Sequence, residues 1–132
     1  MKPALTLQEG AARLATLLPH RFIWLPQHCA LRISLDGQHR TNGPCTDAFL
    51  ETTASHGVIQ WAVQQECIAR GWSMGTDLRP HPKFPHARVV IYVPQFTSRH
   101  AEDLTLAAVR AIVNALERHA QYQAEVADAP AQ

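Results

Sequence analysis

Histidine and cysteine are the residues of this chain best suited to chemistry. Eight histidines, His20, His28, His39, His56, His81, His86, His100 and His119, can hold metals or move protons near neutral pH. The tightest pair is His81 and His86, on a loop with three prolines. With Cys29 or Asp77 brought near by the fold, they would form a transition-metal site. No H-x-x-x-H pair lies on a helix and no Cys–His cluster has finger spacing, so these read as exposed loop histidines with no metal and no cofactor. Cys29 follows His28 but falls on the apolar side of an alternating run, where cysteine behaves as a small, inert hydrophobe. Cys45 precedes Asp47, and Cys67 has no visible activator. Glu102 and Asp103 are adjacent acids that a helix N-terminus accounts for. There is no glycine-rich phosphate loop, G-x-S-x-G elbow or H-E-x-x-H motif. No catalytic residue is assigned, and a metal-dependent enzyme ranks third among the functional readings.

Charge distribution is the clearest anomaly. From Leu78 to Ala101 the chain carries Arg79, Lys83, Arg88 and Arg99 and no acid, with His81, His86 and His100 and the interleaved aromatics Phe84, Tyr92 and Phe96. Such a stretch can dock on a protein surface, where arginine and aromatic anchors carry much of the energy. It can also hold phosphates and stack bases. The expected binding surface is Arg79, His81, Lys83, Phe84, His86, Arg88 and Arg99. A protein partner is the first reading and nucleic acid the alternative. A wet hairpin face with ordinary charges would have the same composition. From Asp47 to Asp77 four acids stand against Arg70 alone, so the molecule is expected to be dipolar. Trp24, Trp61 and Trp72 read as core residues, with Trp24, before Pro26, the one placed at a surface.

Several elements must position these groups. Thr6 and Glu9 form a T-x-x-E capping box, followed by Leu7, Ala11, Leu14, Ala15 and Leu18 at helical spacing and a stop at Pro19. Phe22–Leu25 is a short strand or a buried connector. Cys29, Leu31, Ile33 and Leu35 alternate with polar neighbours as a strand, and Asp36-Gly37 marks a turn. Residues 38–44 are either a polar edge strand or a loop. A second helix is expected from about Asp47 to Arg70, with Leu50, Ala54, Val58, Trp61, Ala62, Gln65 and Ile68 on one face and Gly71 as its C-cap. Trp72–Arg79 and Arg88–Val93 are strands; the second is apolar on both faces and therefore central. A last helix begins near Ser98 or Arg99, with a tail from about Ala124.

The chain has 132 residues, 46% apolar and 17% charged, with a formal charge of +1. It can bury a real core, and wholesale disorder, a coiled coil or a disulfide knot is excluded. The expected fold is α+β: an antiparallel sheet of three to four strands, helices mainly on one face, order α-β-(β)-α-β-β-α. The domain spans 1–123, with 124–132 as the tail. Three widely spaced cysteines fit a reduced, cytoplasmic setting. Neither a signal peptide nor a membrane span is expected. A C2 homodimer through an uncovered sheet or helix face is compatible with this pattern.

The segment from about Cys45 to Ala120, with its helix ending Ala69-Arg70-Gly71-Trp72, two strands and the run Ala101-Glu102-Asp103-Leu104-Thr105-Leu106-Ala107-Ala108-Val109-Arg110-Ala111, resembles small phage and prophage proteins with α-β-α sandwich domains. That resemblance carries no catalytic residue over. It implies a small non-catalytic protein that binds other proteins, and its association with phages points to inhibition of a host defence complex, as anti-CRISPR proteins do.

Overall fold

The computed structural model describes residues 5–79, 86–94 and 96–128, with the backbone alone at 79, 86, 98–102 and 128. The capping box forms as expected: the Glu9 N–H donates to Thr6 Oγ1 at 3.2 Å and the Thr6 N–H to Glu9 Oε1 at 3.1 Å. Helix α1 runs Leu7–Leu17. It is followed by β1 (Phe22–Leu25), a 3-10 turn (Pro26–His28), β2 (Ala30–Ser34) and β3 (Cys45–Phe49). Then come α2 (Thr53–Arg70), β4 (Ser73–Arg79), β5 (His86–Val93), β6 (Phe96–Glu102) and α3 (Leu104–Asp128).

The α+β class holds, but the strands form two antiparallel three-stranded sheets rather than one, ordered β1-β2-β3 and β4-β5-β6. Two strands went unread in the sequence. In β3, Ala48 turns inward while Cys45, Asp47 and Phe49 do not, and this polar alternation is easily taken for the start of a helix. In β6, Thr97-Ser98-Arg99-His100 has no apolar rhythm; pairing with β5 makes it a strand. Helix α3 therefore starts at Leu104, and the expected start at 98 or 99 is corrected. Asp103 caps it, its Oδ1 accepting from the Leu106 N–H at 3.1 Å, while Glu102 ends β6. The helix continues to Asp128. Phe22–Leu25 is a strand, paired with β2 through Phe22↔Ile33 and Trp24↔Leu31. Residues 38–44 are a loop. The expected centrality of Arg88–Val93 holds, since β5 lies between β4 and β6.

Helix α2 is also rotated from expectation. Its buried residues are Ile59, Ala62, Val63, Glu66 and Cys67, while Trp61 is 37% and Ile68 69% exposed. The stripe has regular i, i+3, i+4, i+7 spacing. A glutamate in its middle hid it from hydrophobic reading. Gly71 ends α2 in the left-handed conformation.

One apolar core joins both sheets to the three helices. Helix α3 is its centre, packing against β5 and β6 and against α1 and α2. Ala107, Ala108, Val109, Ala111, Ile112 and Ala115 are all fully buried. Small side chains all round let neighbours approach from several sides. At the α1 crossing, a Cβ on Gly10 would stand 2.5 Å from Val109 Cγ1, so only glycine fits.

Candidate functional site

The β4–β5 pair and its continuation into β6 hold four positions of the expected binding surface, Arg79, His86, Arg88 and Arg99. His81, Lys83 and Phe84 lie outside the described residues. Arg79 closes β4 opposite His86, and Arg99 stands opposite Val90 on β6, so the backbone register brings these positions onto one sheet. Arg88 is no free cation. It stands directly across from Asp77, with its Nη2 3.4 Å from Asp77 Oδ2. The acid-free window began at Leu78, one residue too late to include its partner. The Nε of Arg88 is buried without a hydrogen-bond partner.

Helix α3 covers β5 and β6 of this sheet, and β4 is its edge strand. Trp72, just before β4, is 7% exposed; along the strand Met74 is half-buried and Leu78 is 67% exposed. Trp72, Met74 and Leu78 point to the core face, but Ala87, directly across from Leu78 on β5, is 5% exposed, so Leu78 is open because it lies on the edge strand. On the opposite face of β5, Tyr92 is 53% exposed. The arm thus presents a large apolar side chain on each face. Phe96, by contrast, packs against the core with Arg118 held 4.2 Å over its ring.

A second cluster was missed in the sequence. Glu66 is 3% exposed and is held by three basic side chains. His20 Nε2 lies 2.9 Å from Oε1, Arg21 Nε donates to Oε1 at 3.1 Å and Arg70 Nε to Oε2 at 2.9 Å. Burial pushes this carboxyl up, but hydrogen bonds from His20, Arg21 and Arg70 together outweigh it and hold it below the ordinary glutamate value. Arg21 is itself 7% exposed, and its guanidinium lies close over Gly37, where a Cβ would stand 2.7 Å from Nη2. Gly37 also has φ 75°, so the turn needs glycine twice over. Arg70 lies 5.3 Å over Trp72, whose ring meets His119 edge-on at 5.4 Å. The signal available in sequence was the i, i+4 pair Glu66–Arg70 inside a buried stripe.

The cysteines are scattered. Cys29 is half-buried and left-handed (φ 49°) at the end of the 3-10 turn, not on a strand; its Sγ accepts from Gln8 Nε2 at 3.3 Å. Cys45 is exposed, and Cys67 is buried. Burial, with the Glu66 charge beside it, pushes the Cys67 thiol up to about 11. Among the described residues no three His, Cys, Asp or Glu side chains gather as a metal site. A cleft of about 390 Å³ over the first sheet is lined by Arg32, His39, Arg40 and Cys45 among others. Each of its arginines is already matched by an acid, Arg32 by Asp47 at 2.8 Å and Arg40 by Asp36 at 2.7 Å. Trp24 is half-buried against the core; Trp61 is the most exposed tryptophan. No helix among the described residues is long and apolar enough to cross a membrane.

Comparison with protein-family models, with curated proteins and with solved structures found no match to this chain.

Proposed function

We propose that this protein is a non-catalytic binding protein whose partner is another protein, gripped by the β4–β5 arm. The observation that carries this reading is the exposure of Leu78 (67%) on the edge strand and of Tyr92 (53%) on the outer face of the same hairpin. Exposed apolar and aromatic side chains rimmed by arginine suit a protein interface. Nucleic acid calls for unpaired cations along a backbone, and Arg88 is matched by Asp77. The likeness of residues 45–120 to small phage proteins supports a host defence complex as the partner, in the manner of an anti-CRISPR inhibitor.

The test is capture from a lysate of cells that carry the gene, with and without nuclease, using the wild type and a Leu78→Asp/Tyr92→Ser variant. The expected result is a discrete protein that survives nuclease and is lost with the variant. Recovery of nucleic acid alone, or of proteins that vanish on nuclease treatment, overturns the reading.

A further inference from the structure

Helix α2 has an unusual outer face. A surface helix normally turns charges to water. Between Thr53 and Ala69 this one carries a single Asp, Glu, Lys or Arg, and that residue, Glu66, is buried. The outward row is Ala54, Gly57, Trp61, Gln64 and Ile68, all exposed. These positions are spaced three and four apart, the seam of a helix that pairs with another helix. Trp61 is 37% and Ile68 69% exposed, while a Cβ on Gly57 would meet nothing within 4 Å. The row is therefore graded: Ala54 and Gly57 are small at its N-terminal end, Gln64 and Ile68 larger at its C-terminal end, with Trp61 between them.

A graded row of this kind is complementary to itself when reversed. We propose that the protein self-associates as a two-fold dimer through α2, with the two helices antiparallel. Ile68 of each copy lies over Ala54 of the other, Gln64 over Gly57, and the two Trp61 side chains meet at the axis. The charges at the two ends agree with this pairing. Glu51 is exposed just before the helix, and Arg70, its last residue, is exposed while its Nε is held by Glu66, which His20 and Arg21 also hold. With the two-fold axis near the middle of the row, Glu51 of each copy stands beside Arg70 of the other. Antiparallel pairing also sets the opposed helix dipoles favourably. The same surface patch serves both copies, as a closed two-fold interface requires.

Sedimentation velocity over a range of concentrations tests this on the full chain, with Ile68→Glu and Gly57→Lys beside the wild type. Both positions face solvent in the single chain, and lysine forms helix better than glycine, so Gly57→Lys keeps or raises thermal stability. The wild type is expected to sediment with the mass of two chains. Both variants raise the dimer dissociation constant at least about tenfold while staying folded by circular dichroism. A wild type that is monomeric at every concentration overturns the proposal and leaves the row to solvent or to a foreign protein. A dimer that persists unchanged in either variant also overturns it.

Discussion

Glu66 and Asp77 are both acids held by arginine, in opposite surroundings. Glu66 is sealed beneath α2 with a buried Arg21 beside it. Asp77 sits on the arm, where both it and Arg88 have side chains 37% exposed. A sealed pair cannot lose one member without stranding the other in a poor solvent. An open pair loses one member to water at small cost. The first therefore holds the fold, and the second shapes a surface.

The largest effect is expected from Glu66→Leu, which strands Arg21. Thermal and denaturant unfolding should show a loss of about 3–5 kcal/mol. A loss of the size seen at the arm would erase the distinction between the two regions. Gly10→Ala comes next. It drives a methyl into Val109 at the α1–α3 crossing and should cost about 1–3 kcal/mol, with part regained in Gly10→Ala/Val109→Ala.

The pH response sharpens the same contrast. The Glu66 carboxyl is held below its ordinary value of 4.5, so the folded state binds its proton less readily than the unfolded chain does. Its contribution is fully present above that ordinary value and is lost as pH falls through the lower folded-state value. Melting temperatures followed from about pH 7 to about pH 3 should decline on the acid side, and Glu66→Gln should decline less steeply. The smallest effect belongs to Arg88→Ala, expected to cost less than about 1 kcal/mol in the same unfolding assays.

What could be read from the sequence follows the same division. The capping box at Thr6, the core strand β5 and the Gly71 cap were legible because each depends on neighbours in sequence. The strands β3 and β6 were not, because partners far along the chain make them strands. The α2 stripe was misread because Glu66 looks polar until His20, Arg21 and Arg70 are placed around it. The run of basic residues from Arg79 to Arg99 was legible, but Asp77 opposite Arg88 needed the register. The exposure of Leu78 and Tyr92 needed the sheet order and the face that α3 covers.

The most direct test of an open arm on a sealed body is the thermal midpoint of Leu78→Asp/Tyr92→Ser against the wild type. If both side chains face solvent, the midpoint stays within about 2 °C of the wild type. A fall of about 8 °C or more would mean that these residues belong to the core, and the proposal that the arm binds a partner would fail.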